Sequence, residues 1–276
     1  MTTLGVFDSG VGGLSVLRDL LTQLPDTHLV YLADNAFAPY GERDEATIQT
    51  RTQLVTDYLL RHHHITALVI ACNTATAHAI DMLRASYPEL PIIGVEPALK
   101  PAAVMSASGQ VGILATRGTL TSQRFERLRH QVASHSAKPV QFWPQACDGL
   151  ADAIERDHPG DVQALAQRYI QRLFEAGPQA ETIDTIVLGC THYPFAIEAL
   201  QTALKGRSVR FIDTGLPVAK RARELLKPEP NGKPLGGPAK APVLLSTGDS
   251  SSLTKAAQQW IQPSLQASIA AIEMPR

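Results

Sequence analysis

The chain has 276 residues, of which 44% are hydrophobic and 18% charged, with a formal net charge of -1 at pH 7. That is enough chain to bury a core in one large or two modest domains. The balanced charge gives no electrostatic argument for direct nucleic-acid binding or for an anionic membrane surface. No apolar run approaches the roughly 18 residues that span a bilayer. The opening Met1-Thr2-Thr3-Leu4 enters a strand pattern with no charged-then-apolar leader, so a cytoplasmic location is expected. The three cysteines, Cys72, Cys147 and Cys190, are odd in number and form no Cys-x-x-Cys pair. That argues against a disulfide framework and against a zinc site of that spacing.

In chain order, Leu4-Gly5-Val6-Phe7 reads as a short strand ending at Asp8-Ser9-Gly10-Val11-Gly12-Gly13. A helix follows from about Leu14 to Leu24, stopped by Pro25. The glycine-rich stretch has neither the Walker lysine nor the dinucleotide spacing. It reads as a tight turn that presents Asp8 and Ser9 and offers backbone N–H groups to an anion such as a carboxylate. Leu29 to Ala33 is the next strand, and Asp34 to Gly41, with Pro39 and Gly41, reads as a loop. A helix from about Asp44 to His62 follows. The run His62-His63-His64 reads as its solvated end rather than as a metal cluster.

Leu68-Val69-Ile70-Ala71-Cys72 is a buried strand delivering a thiol at its carboxyl end. A helix from about Ala75 to Ser86 and a strand over Pro91–Val95, ending at Glu96-Pro97, complete a first series. The second series has strands at Val111–Ala115, Val140–Trp143, Ile186–Gly189 and Val209–Ile212. Its helices are predicted from Thr119 to about Ser134, around Gly149 to Glu155, from about Val162 to Glu175, and from about Phe195 to Leu204. Its third strand ends in Cys190-Thr191-His192, an echo of Cys72-Asn73-Thr74, and its last at Asp213. Cys72 and Glu96 lie 24 positions apart, Cys190 and Asp213 23. The tail reads as a helix near Pro217–Leu226, a Pro/Gly/Lys-rich loop over Pro228–Pro242, a strand over Val243–Thr247 and a closing helix from about Ser252 to Ile261.

Strands alternating with helices twice over predict an α/β fold of two pseudosymmetric doubly wound parallel-sheet domains, with the active site in the cleft between them. The first domain is expected to hold residues 1–97 plus 215–276, and the second 98–214.

The motifs Phe7-Asp8-Ser9-Gly10-Val11-Gly12-Gly13-Leu14, Pro39-Tyr40-Gly41, Ala71-Cys72-Asn73-Thr74-Ala75, Gly189-Cys190-Thr191-His192-Tyr193-Pro194 and Ser246-Thr247-Gly248-Asp249 occur in this order along nearly the whole chain. The ordered set resembles the glutamate racemases of the aspartate/glutamate racemase family. The resemblance implies a cofactor-independent enzyme, with no metal, that interconverts L- and D-glutamate and supplies D-glutamate for bacterial peptidoglycan, usually as a homodimer. It implies that Cys72 acts on the D-isomer and Cys190 on the L-isomer, each serving as acid in the reverse direction. Asp8 is then the neighbour of the first thiol and His192 of the second, with Glu155 the candidate partner of His192. Ser9, Asn73, Thr74 and Thr191, with their backbone N–H groups, suit the substrate's carboxylates and ammonium, Tyr40 and Gly41 carry over as contacts for its side-chain carboxylate, and Thr116 and Thr119 are candidate additions.

This chemistry suits the residues. An α-proton must leave one face and a proton return to the other, which asks for one deprotonated and one protonated group at once. Cysteine, with an ordinary pKa near 8.5, serves in either state. Taken alone, a strand-end cysteine is more often a buried small hydrophobe; the bland readings of the others are a helix cap for Asp8, a core histidine for His192, core packing for Tyr40 and, equally well, a solvated helix face for Glu155. Cys147 has no echo and reads as structural. No lysine sits in a pyridoxal-phosphate motif. A two-cysteine racemase of aspartate or a hydantoin, and a non-catalytic amino-acid-binding regulator, remain as alternatives.

Overall fold

The structure is a computed structural model and describes residues 2–226, 241–261 and 267–275. The chain forms two compact units, Met1–Val95 with Gly215–Arg276, and Glu96–Thr214.

In the first unit the strands are β1 (Thr3–Asp8), β2 (His28–Ala33), β3 (Ala67–Ile70), β4 (Ile92–Gly94), β9 (Val243–Thr247) and β10 (Ser268–Ile272). They form one six-stranded sheet in the order β10-β9-β2-β1-β3-β4, every neighbouring pair parallel. β1 and β3 are buried along their whole length, which explains their near-continuous apolar sequences. The connecting helices are α1 (Leu14–Gln23), α2 (Glu45–His63) and α3 (Asn73–Ser86). Asp44 caps α2 by accepting from Thr47 N–H at 2.8 Å. The histidine run falls in its last turn and on His64, in the left-handed region at φ 49°. Late in the unit come α10 (Gly215–Leu225) and α11 (Ser251–Trp260).

The second unit carries β5 (Gln110–Ala115), β6 (Gln141–Ala146), β7 (Thr185–Gly189) and β8 (Arg210–Ile212), in the order β6-β5-β7-β8 and again all parallel. This order repeats the β2-β1-β3-β4 portion of the first sheet. Its helices are α4 (Leu99–Met105), α5 (Arg117–Thr121), α6 (Gln123–His135), α7 (Leu150–Glu155), α8 (Pro159–Phe174) and α9 (Ile197–Ala203). Among the described residues no helix is long and apolar enough to cross a membrane.

Several elements depart from the sequence reading. The helix expected from Thr119 to Ser134 is two helices, broken at Ser122, which takes an extended conformation and caps α6 by accepting from Phe125 N–H at 3.1 Å. α4 was not expected, since Pro97 and Pro101 bracket its start; proline is tolerated in a first turn, where N–H groups have no helical partner. The helix at Ser251–Trp260 does not close the chain, because β10 follows it and adds an edge strand beside β9. The expected loop over Asp34–Gly41 contains two 3-10 turns, Asn35–Phe37 and Tyr40–Glu42, with a cis Ala38–Pro39 peptide between them. Most of the loop expected over Pro228–Pro242 lies outside the described residues.

The first unit's core gathers Phe7, Val30, Leu32, Ile48, Val55, Leu59, Leu68 and Ile70, all fully or almost fully buried, together with Tyr40, Cys72 and Ala75. Leu68 sits centrally in it on β3. Leu68→Ala is expected to lower unfolding free energy by about 2–5 kcal/mol, read as an earlier urea midpoint by circular dichroism.

Candidate functional site

In the first unit the candidate residues gather where β1 and β3 end. Register pairs Phe7 with Ile70, so Asp8 and Ser9 leave the sheet beside Ala71 and Cys72. Ala71 N–H donates to the Phe7 carbonyl at 2.6 Å, the last rung before the strands part. Cys72 takes an extended conformation and is itself the cap of α3: Ala75 N–H donates to its Sγ at 3.4 Å. The sulfur therefore sits against the positive end of a 14-residue helix, which favours negative charge there. On its other side the thiol donates to Ser9 Oγ at 3.7 Å, and Ser9 Oγ donates to Asp8 Oδ1 at 3.4 Å. A thiol, a hydroxyl and a fully buried carboxylate thus form one chain.

The glycine-rich turn folds over this carboxylate. Gly10 N–H donates to Asp8 Oδ1 at 2.8 Å, so the anion this donor meets is the protein's own Asp8. Tyr31 Oη donates to the Gly10 carbonyl at 2.6 Å and holds the turn down. A Cβ on Gly13 would lie 2.6 Å from Asp8 Cβ and 2.9 Å from Tyr31 Oη, so only glycine fits there without displacing the carboxylate.

Asn73 and Thr74 occupy the first turn of α3 and are buried. Asn73 Nδ2 donates to the Val95 carbonyl at 3.3 Å, while its buried Oδ1 accepts no hydrogen bond among the described residues. An orphaned buried acceptor is costly and suits an arriving donor such as an ammonium group. Tyr40 and Gly41 open the second 3-10 turn, which packs against α3. Tyr40 is buried, and its hydroxyl proton is committed to Asp34 Oδ2 at 2.6 Å.

In the second unit β7 delivers Cys190, Thr191 and His192, all buried. Cys190 Sγ lies 3.7 Å from His192 Nδ1, and His192 Nε2 lies 2.6 Å from Glu155 Oε2. Glu155 is the last residue of α7, which packs against the 3-10 turn Tyr193–Ala196 that follows His192. Gly149, in the left-handed region at φ 77°, turns the chain into α7. Burial works against a charged imidazole, but the hydrogen bonds and negative charges of Cys190 and Glu155 outweigh it and raise the His192 pKa well above its ordinary value. When protonated, the ring donates from both nitrogens, one toward the sulfur and one toward the carboxylate.

Thr116 and Thr119 follow β5, at the level of Cys190, and cap α5 through each other: Thr116 Oγ1 accepts from Thr119 N–H at 3.3 Å and donates to its hydroxyl at 2.9 Å. Cys147 follows β6 and is buried. Burial, then the neighbouring Cys190, pushes its thiol pKa far up, which favours the protonated form.

Two further residues, absent from the motifs, are buried in the first unit: Asp34 and Arg51. Asp34 ends β2 much as Asp8 ends β1, and it is fully buried against Arg51. Arg51 shares a buried helical face with Ile48, Thr52, Val55 and Leu59. A cation on that apolar stripe is the signal that would have marked it.

The raised His192 pKa fixes a sign. A folded value above the unfolded one, about 6.5, stabilises the fold fully below that pH and loses its contribution as pH rises through the folded value. Glu155→Gln removes one of the raising partners. It should lower the pH at which the His192 C–H resonances titrate in NMR; an unchanged titration would separate Glu155 from His192.

Residues 5–222 match the family described as Asp/Glu/Hydantoin racemase. A glutamate racemase of Ectopseudomonas mendocina (strain ymp) is 48% identical over 222 residues, covering 80% of this chain and 81% of that protein. One from Cupriavidus pinatubonensis is 43% identical over 274 residues, covering 98% and 95%. Among solved structures, Escherichia coli glutamate racemase in complex with L-glutamate and the activator UDP-MurNAc-ala is similar at a TM-score of 0.82 and 31% identity, over 100% of this chain and 99% of that one. The family match begins within β1, ends within α10 and takes in every candidate residue from Asp8 to His192, and on that ground the chain belongs to the Asp/Glu/hydantoin racemase family of enzymes.

Proposed function

We propose that the chain interconverts L- and D-glutamate by two-thiol proton transfer at the α-carbon. The observation that carries the reading is the pair of backed thiols, Cys72–Ser9–Asp8 in one unit and Cys190–His192–Glu155 in the other. Either thiolate removes the α-proton from one face, and the opposite thiol returns a proton to the other, so the two exchange protonation states in each turnover. On the Cys190 side, His192 takes or supplies the thiol's proton, with Glu155 orienting the ring and balancing its charge. On the Cys72 side, the α3 amino terminus meets the thiolate charge and Ser9 links it to Asp8.

Asn73 Oδ1 is a fitting acceptor for the substrate ammonium. Thr74, Thr191, Thr116 and Thr119 are proposed contacts for its α-carboxylate, whose hydrogen bonds must stabilise the carbanion in a dry site. The preference for glutamate is drawn from the named relatives, one of which holds L-glutamate. A cytoplasmic homodimer and a role in supplying D-glutamate for peptidoglycan belong to the same proposal.

The test is pure D-glutamate in deuterated water without added cofactor, with inversion followed by circular dichroism and α-proton loss by NMR. Wild type should invert and deuterate. Cys72→Ala and Cys190→Ala should each lose inversion by about 10²- to 10⁴-fold or more. A wild type inert on glutamate but active on aspartate or a hydantoin would move the substrate within the family; inertness on all of them would overturn catalysis.

A further inference from the structure

We propose that Asp34 and Arg51 are positioning residues that fix the Tyr40–Gly41 turn and thereby set affinity for the substrate's side-chain carboxylate. This rests on the glutamate reading above.

The Asp34 carboxylate is fully buried and receives four donors. Arg51 Nη2 reaches Oδ1 at 2.9 Å and Arg51 Nε reaches Oδ2 at 3.0 Å. Thr247 Oγ1 donates to Oδ1 and Tyr40 Oη to Oδ2, each at 2.6 Å. Two donors per oxygen fill its acceptor sites, so no position remains for a ligand. Arg51 is equally committed: Nη1 donates to the Pro275 carbonyl, and the guanidinium lies 3.9 Å from the centroid of the Phe37 ring. With 2% of its surface exposed, it cannot grip a substrate carboxylate itself.

A buried ion pair is a poor way to gain stability, since apolar side chains of similar volume do as well or better. What this pair does is join separate pieces of chain to the segment between β2 and α2. Asp34 begins that segment, Phe37 stacks under Arg51, and Tyr40 bonds to Asp34. Ala36 N–H donates to Thr247 Oγ1 at 3.2 Å, and Thr247 in turn holds Asp34. The start, middle and end of the segment are thus referred to one charge pair. Tyr40 also belongs to the same core cluster as Cys72 and Ala75, and the pinned turn packs against α3, the helix that Cys72 caps. With the Tyr40 hydroxyl proton committed to Asp34, a carboxylate bound at this turn would take its donors from the turn's backbone. The backbone position is what the ion pair sets.

The experiment measures kcat and KM in both directions for wild type, Tyr40→Phe, Asp34→Asn, Arg51→Lys and the Tyr40→Phe/Asp34→Asn double variant, with folding checked by circular dichroism. Tyr40→Phe keeps the buried ring and removes one hydrogen bond to a charged group. Its KM for glutamate should rise about tenfold or more, well beyond any fall in kcat. Asp34→Asn should raise KM likewise, the double variant should not multiply the two effects, and Arg51→Lys, which keeps the charge but not the fork, should fall between wild type and Asp34→Asn. Reduced kcat at unchanged KM would mean fewer folded molecules and overturn positioning. If Asp34→Asn fails to fold, Tyr40→Phe alone decides, and an unchanged KM sinks the proposal. An inert wild type is a different outcome, in which the glutamate reading itself fails and this inference falls with it.

Discussion

Within each sheet every strand runs parallel to its neighbours, and the chemistry of the molecule depends on that single polarity. A parallel ladder brings all carboxyl ends to one edge, and there the backbone rungs run out. In the first unit that edge carries Asp8 and Ser9 from β1, Asp34 from β2, Cys72 from β3 and Thr247 from β9. In the second it carries Thr116, Cys147 and Cys190 from β5, β6 and β7. Buried strands admit few polar side chains along their length, so functional groups crowd onto the ends.

The two thiols sit in different surroundings. Cys72 is followed directly by α3, and the helix terminus with Ala75 N–H faces the sulfur. Cys190 is followed by a short 3-10 turn containing Pro194, and α9 begins only at Ile197. On that side the His192 imidazole, whose pKa Cys190 and Glu155 raise against the cost of burial, lies 3.7 Å from the sulfur and 2.6 Å from the Glu155 carboxylate. The repeat therefore preserves the strand order and the thiol, not the groups around each thiol. A serine hydroxyl does not hold an extra proton as a cation near neutral pH, whereas an imidazole does.

Much of this was legible in the sequence because the informative segments are continuous. The runs ending in Cys72 and Cys190 are buried throughout, and unbroken apolar β-branched sequence signals such strands. β10 was not legible: Ser268–Ile272 is an edge strand, partly or fully exposed along its length, and lacks that signature. The break at Ser122 looks like helix continuation until its extended backbone is seen. Glu155 was nameable only through the family resemblance, since its meeting with His192 depends on how α7 packs against the turn after β7. Arg51 was readable in principle, as a cation on an apolar helical stripe, but its partner Asp34 lies 17 positions away, and no local pattern joins the two.

The first unit is discontinuous in sequence, and that has a consequence for synthesis on the ribosome. The chain is made from its amino terminus, and the whole of Glu96–Thr214 emerges before the strands that complete the first sheet. β1 to β4 can pair early, yet β2 keeps an open edge until β9 arrives, and β9 keeps one until β10 does. An open strand edge invites wrong partners. The bonds from Thr247 to Asp34 and from Arg51 to the Pro275 carbonyl must wait until those distant residues have been made. The segment bearing Tyr40 therefore acquires its final anchorage only after both thiols have already left the ribosome.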